Sequence, residues 1–203
     1  MGYVVRASNF YGTMSQLGFT ADNYNGFYFY SVGGGGGSGN ARGAMDDDDV
    51  NDGAIWGSSG GGGAGACQVA LLGLNKNWTI SISIGGGGSK ATSTSQQQNG
   101  GTAGQTVFNW GSGSQTANGG VGGGGCTNNG GAGGAGGLYG TYPGQTGLDG
   151  GGANNNTTQA GGRGGQSMFS PYGDGAHGVN AWDTTSWRQG HAGNSGCVVI
   201  LAF

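Results

Sequence analysis

Phe27-Tyr28-Phe29-Tyr30-Ser31-Val32-Gly33-Gly34-Gly35-Gly36-Gly37 joins two unlike kinds of chain within eleven residues. Its first half is aromatic and β-branched, the residue types that suit a pleated, half-buried surface. Its second half has no side chains to bury and loses more freedom on folding than any other residue type. The junction recurs along the sequence. Gly60 to Gly63 leads into the apolar run Cys67 to Leu72, and Thr79-Ile80-Ser81-Ile82-Ser83-Ile84 runs into Gly85 to Gly88. The turn Gly193-Asn194-Ser195-Gly196 leads into Cys197-Val198-Val199-Ile200-Leu201-Ala202-Phe203.

Each apolar partner in these junctions reads as a strand. Strict alternation from Thr79 to Ile84 puts three isoleucines on one face and hydroxyls on the other. The unbroken run from Cys197 to Phe203 suits a strand covered on both sides. Residues 73–77, between two of the strands, read as a hairpin loop. No segment has a helical period, and Phe10 to Leu17 has room for one short turn.

Glycine supplies 56 of 203 residues, against a usual share of about 7%. Two prolines and no strict three-residue repeat along the chain exclude collagen. Charged residues make up 7% of the chain, while it holds 5 Trp, 8 Tyr and 7 Phe, the reverse of a disordered composition. Further tracts fall at Gly122 to Gly125, at Gly130 to Gly137 with a Gly-Gly-Ala repeat, and at Gly161 to Gly165. A period of three is that of polyproline II, which forms no internal hydrogen bonds and offers every N–H and C=O to neighbouring chains. Flexible linkers seldom alternate with strands and aromatic loops. The reading is therefore a lattice of packed rods, with non-glycine positions such as Val121 and Ala132 turned outward. The expected fold class is mainly irregular and β: a short antiparallel sheet plus bundled polyglycine II helices with long loops and little or no α-helix.

The order of strands, glycine runs and loops from Phe27 to Phe203 resembles the glycine-rich domain of bacteriophage tail fibres. It is similar, more loosely, to the polyglycine-helix adhesins that cap the long tail fibres of T-even-type phages. The resemblance implies a receptor-binding tip of the virion tail fibre, synthesised in the host cytoplasm. Its partners would be a bacterial surface receptor, outer-membrane protein or glycan, and other virion fibre proteins. It would stand as a homotrimer or as a monomeric cap on a trimeric fibre. Residues 1–25 depart from the pattern and read as an attachment or oligomerisation segment, leaving 26–203 as the adhesin-like domain. With them, the apolar carboxyl terminus suggests self-association or docking.

On such a scaffold recognition falls to the joining loops, here 38–59, 89–118, 138–149 and 166–194. They carry Trp56, Trp110, Tyr139, Tyr142, Phe169, Tyr172, Trp182 and Trp187. Tyr and Trp give large contact area for little lost rotamer freedom. About half of these aromatics are expected to be structural, because a glycine scaffold must bury apolar area somewhere. The acidic run Asp46, Asp47, Asp48 and Asp49 with Asp52 lacks the spacing of a calcium loop and reads as a solvated loop, with cation binding the weaker alternative.

The remaining signals exclude. A net charge of −3 without a basic cluster argues against nucleic acid. No apolar run is long enough for a signal peptide or membrane insertion. Arg6 breaks the myristoylation pattern. The Asn77 and Asn156 sequons matter only in a secreted eukaryotic protein. Cys67, Cys126 and Cys197 have no metal spacing and read as reduced core residues. His177 and His191, even with Asp174 or Asp183, lack a nucleophile elbow or paired glutamates. The chain therefore reads as non-enzymatic and without cofactors. The competing expectations are a purely structural virion fibre or decoration protein and, less favoured, an ice-binding protein.

Overall fold

Apolar side chains build one half of the molecule and backbone amides the other. The computed structural model describes residues 2–20, 24–42, 57–74, 76–111, 113–127, 129–152, 159–181 and 186–203. The strands are β1 (Gly2–Arg6), β2 (Phe10–Thr13), β3 (Phe27–Val32), β4 (Ala41–Arg42), β5 (Cys67–Leu72), β6 (Thr79–Ser83), β7 (Thr106–Trp110), β8 (Gly113–Ala117), β9 (Trp187–Arg188) and β10 (Cys197–Ala202). A single 3-10 turn at Ser15–Leu17 is the only helical element among the described residues.

Two four-stranded antiparallel sheets, ordered β1-β10-β3-β5 and β2-β6-β7-β8, form a sandwich. Phe27, Phe29, Val198 and Ile200 of the first sheet meet Ile80, Ile82 and Phe108 of the second. The Phe29 and Phe108 rings stack with centroids 4.2 Å apart. Alternation in β6 works as the sequence suggests: Ile80 and Ile82 are buried, while Ser81 Oγ accepts a bond from Asn109 Nδ2 on the other face. Strands β7 and β8 occupy part of the stretch expected to be a loop, 89–118, because Val107 and Phe108 are too short an apolar signal to announce a strand.

Residues 73–77 do not close a hairpin. Strand β5 pairs with β3, and β6 pairs with β2 and β7, so the segment crosses between sheets. Leu74 is buried in the sandwich core as it crosses. Residues 2–20 are continuous with the sandwich: β1 lies beside β10, and Met14, Leu17 and Phe19 are core residues. The apolar carboxyl-terminal run is a central strand rather than a docking tail.

The other half consists of extended segments held by hydrogen bonds that turn through three directions in three residues. We number them in chain order: rod 1 (33–40), rod 2 (57–66), rod 3 (85–91), rod 4 (98–104), rod 5 (118–126), rod 6 (130–137), rod 7 (144–151), rod 8 (160–166), rod 9 (173–180) and rod 10 (190–196). In rod 1, Gly33 and Gly36 donate to Ala66 and Gly63 of rod 2, Gly34 and Gly37 to Gly104 and Gly101 of rod 4, and Gly35 and Ser38 to Asn194 and His191 of rod 10. Its carbonyls accept in turn from Gly88 of rod 3, Gly120 of rod 5 and Ala176 of rod 9. Rod 2 behaves alike, donating to rods 5, 7 and 9 and accepting from rods 1, 6 and 8. Rods 1 and 2 each run antiparallel to the rods they donate to, whereas rods 3, 5 and 9 run parallel to rod 1 and rods 6 and 8 run parallel to rod 2.

These neighbour relations define three layers in hexagonal array: rods 10, 9 and 8, then 3, 1, 2 and 7, then 4, 5 and 6. Rods 1 and 2 are surrounded on all sides, and every residue of each is buried. A Cβ added at Gly34, Gly35 or Gly36 would lie 2.3, 1.9 or 2.1 Å from a carbonyl oxygen of Gly86, Asp174 or Val121, in three different rods. Close approach is what requires glycine there. At the perimeter, Val121 is 44% exposed and Ala132 is exposed, turned away from the lattice.

One inter-rod bond contributes about 1 kcal/mol net, whereas fixing one residue's backbone costs about 1–2 kcal/mol. Hydrogen bonds alone do not hold the rods. Strands β3, β5, β6, β7, β8 and β10 each continue directly or within a few residues into a rod, so the apolar sandwich fixes where six of the rods begin or end.

Candidate functional site

Rod direction sorts every connection to one of two ends. At the sheet end the chain passes into the sandwich or turns at 138–143 and 166–172. At the opposite end, the loop end, lie the turn 92–97 and the described residues 41–42, 127, 129, 152, 159, 181 and 186–189. The six described aromatics among the eight expected in the loops are therefore divided between the ends.

Five of them belong to the sheet end. Trp110 lies in β7, stacked on Phe108 at 5.2 Å and packed against the core, so it is structural. Phe169 packs edge-on against Tyr30 at 5.3 Å, and Tyr172 joins the same cluster on the outer face of the first sheet. Tyr139 is 78% exposed and Tyr142 48% exposed. The backbone of Tyr142 exchanges two hydrogen bonds with Cys67, and the Thr141 hydroxyl accepts from the Val69 amide.

The outer face of that sheet is apolar throughout. Register aligns Tyr3, Leu201, Tyr28 and Leu71 in one row and Val5, Val199, Tyr30 and Val69 in the next. Tyr3 is 62% and Leu71 56% exposed, and the Phe203 ring lies 5.4 Å from that of Tyr28. Neighbouring large apolar groups of this kind mark an interaction surface. Isolated sequence reading missed it, because it arises from register between strands far apart in the chain.

The loop end is polar. Trp187 lies there in β9, which pairs antiparallel with β4, and the Arg42 guanidinium stands 5.7 Å from the Trp187 ring centroid. Such an Arg on an indole face is both a fixed platform and a cation–π pair. Trp56 and Trp182 lie outside the described residues, as do Asp46, Asp47, Asp48, Asp49, Asp52 and Asp183. Among the described residues no three His, Cys, Asp or Glu side chains gather in a manner that would hold a metal.

Asn40, wholly buried at the tip of rod 1, organises this end. Its Nδ2 donates to the carbonyls of Ser93 and Gln96 at 3.0 and 2.8 Å, and its Oδ1 accepts from the Gln98 amide at 2.8 Å. Gln98 Oε1 in turn accepts from the Thr92 and Ser93 amides, both at 2.7 Å. The 92–98 turn is thus pinned from beneath, while Thr92, Thr94, Ser95, Gln96 and Gln97 are exposed above it. Ser58 and Ser59 play the same part at the start of rod 2: Ser58 Oγ donates to Gly151 and Ala160, and Ser59 Oγ accepts from Val179. Asn40, Ser58 and Ser59 carried a signal, being polar residues at the ends of central glycine runs.

Among the described residues the titratable groups serve local turns and packing. Asp174 accepts from the Ser167 amide and the Ser170 hydroxyl at 2.7 and 2.6 Å, and so closes the 166–173 turn. His177 Nδ1 accepts from the Gly164 amide at 3.2 Å. Among the described residues neither histidine is hydrogen-bonded to a carboxylate. The three thiols are free and buried. Burial pushes Cys67 up to about 11 and Cys197 to about 12, and raises Cys126 as well. Thiols held protonated in this way are poor nucleophiles at neutral pH. No helix among the described residues is long and apolar enough to cross a membrane. No protein-family model and no curated protein sequence matches the chain.

Proposed function

We propose that the chain is a bacteriophage tail-fibre tip that binds a host bacterial surface receptor, protein or glycan, through its loop end. In this reading the rods are polyglycine II helices acting as a rigid spacer, and the sandwich joins the virion. The observation that carries it is the division between the ends. Polar turns with Trp187 gather at one end, and the row Tyr3, Leu201, Tyr28 and Leu71, exposed at all but Leu201, lies on the sandwich at the other. A bundle with an apolar base and a polar, aromatic-bearing crown is what a two-ended connector requires. The base meets a fibre subunit and the crown meets the receptor.

Trp187 and the pinned 92–98 turn are assigned to receptor contact, and Trp56 and Trp182 remain candidates from the sequence. Tyr139 and Tyr142 move to the virion side, and Trp110, Phe169 and Tyr172 to structural support. The test is adsorption. Purified protein should bind susceptible bacteria and block phage adsorption. Changing Gln96 and Gln97 to Ala should weaken binding while the melting temperature holds. Absence of binding above background, or full binding after the loop-end changes with loss only on changing Tyr139, overturns the assignment.

A further inference from the structure

The layer formed by rods 10, 9 and 8 carries a feature that the two-ended reading does not use. Two hollows open on this flank, one of about 350 Å³ and one of about 330 Å³, and they share Gly164, Gln166 and His177. The first reaches across rod 9 to His191 and Asn194 on rod 10, and the second crosses rod 8 past Arg163 to rod 7. Each is within the size range of small-ligand sites. Glycine makes the trough: residues without side chains lie between polar residues that flank them.

Its chemistry is rich in free donors. Arg163 is exposed and its guanidinium forms no hydrogen bond or ion pair among the described residues. His177 Nδ1 already accepts from Gly164, which leaves Nε2 as the ring nitrogen facing a ligand. Backbone N–H groups of Arg163, His177 and Ala192 form no inter-rod bond, because the three-residue repeat turns them outward from the lattice. The carboxylate on this face, Asp174, is already bonded to Ser167 and Ser170. No Phe, Tyr or Trp side chain lines either hollow, so polar groups dominate recognition here.

We propose that this flank is a second binding site, for an acidic saccharide. The sugar carboxylate pairs with the Arg163 guanidinium, whose fork matches a carboxylate in two parallel bonds. Ring hydroxyls accept from His177 Nε2 and bond the Gln166 amide, and the chain of sugars follows the trough across rods 8 and 9. A lone inorganic anion would occupy a small part of either hollow, whereas linked sugars span both. The site stands independently of the loop end.

The test is an amide chemical-shift titration of the full chain with trigalacturonate, with neutral galactotriose and inorganic phosphate as controls. Trigalacturonate should shift Arg163, Gly164, Gln166 and His177, galactotriose should not, and phosphate should bind far more weakly. Arg163→Gln should weaken trigalacturonate binding by about tenfold or more, the scale of a lost charge-assisted pair, with unchanged melting. Shifts confined to the loop end, equal response to galactotriose, an Arg163→Gln affinity equal to the parent, or phosphate binding as tight as the trisaccharide would each overturn the proposal. Bacterial adsorption is read separately, so loss of one activity with retention of the other tells the two sites apart.

Discussion

The sandwich and the rod bundle are two solutions to the same problem. In the sandwich, Phe29, Phe108, Ile80 and Ile200 withdraw apolar area from water, and the backbone bonds are made between adjacent strands. In rods 1 and 2 there is almost no side chain to withdraw, and each rod bonds six neighbours. Side-chain cores tolerate change by repacking, because neighbouring rotamers adjust. A lattice of backbones has no rotamers to adjust. The two halves should therefore fail in different ways under mutation.

Gly35→Ala should have the largest effect. Its Cβ would sit 1.9 Å from the Asp174 carbonyl oxygen, and only a shift of rod 9 relieves it. Loss beyond about 4 kcal/mol is expected, read as absence of a cooperative melt; a folded variant with a small shift would break the lattice description. Phe29→Ala should come next at about 3–5 kcal/mol, measured by denaturant unfolding, with the protein still folded. Ser59→Ala leaves the buried Val179 amide without its Oγ acceptor and should cost about 1–3 kcal/mol.

The thiols add a smaller effect with a definite sign. Their folded-state pKa lies above the ordinary 9.0, at about 11 for Cys67 and about 12 for Cys197. The stability they contribute is complete below pH 9 and is lost as pH rises through 11 to 12, because the unfolded chain ionises first. Reaction with a thiol reagent at about pH 8 should be slow in the folded protein and complete for all three cysteines after unfolding. The smallest effect should be Gly86→Ala, since a Cβ there meets nothing within 4 Å. A melting change within about 0.5 kcal/mol is expected, and a large loss would show that perimeter and interior glycines do not differ.

The same contrast explains what was legible in the sequence. Strands β3, β5, β6 and β10 announced themselves by aromatic content, alternation or apolar length. Rods 1, 2, 3, 5, 6 and 8 announced themselves as glycine tracts. Rods 4, 7, 9 and 10, all on the perimeter, were written differently. Rod 7 has glycine at 144, 147 and 150, each with its would-be Cβ against a carbonyl of rod 2, and leaves Gln145, Thr146, Leu148 and Asp149 exposed. Rod 10 does the same at 190, 193 and 196. Such a spacing looks like a loop unless the three-fold turn is already in mind. The division of the aromatics was hidden for another reason: which end a turn occupies depends on how many rods precede it, a property of no single segment. The first 25 residues looked separate because their partner, β10, is the last strand of the chain.

The three-residue turn also works as a reading frame. Inserting one residue within a rod rotates every later donor by a third of a revolution and aims it at the wrong neighbour. Inserting three advances the rod one full turn and restores every direction. At the turns no such frame exists, and doubling the length of a flexible connection costs only about 0.6 kcal/mol. Length differences among descendants of this chain should therefore come in threes inside rods and in any number at the loop end. The scaffold would resist change by single steps while its crown accepts change freely.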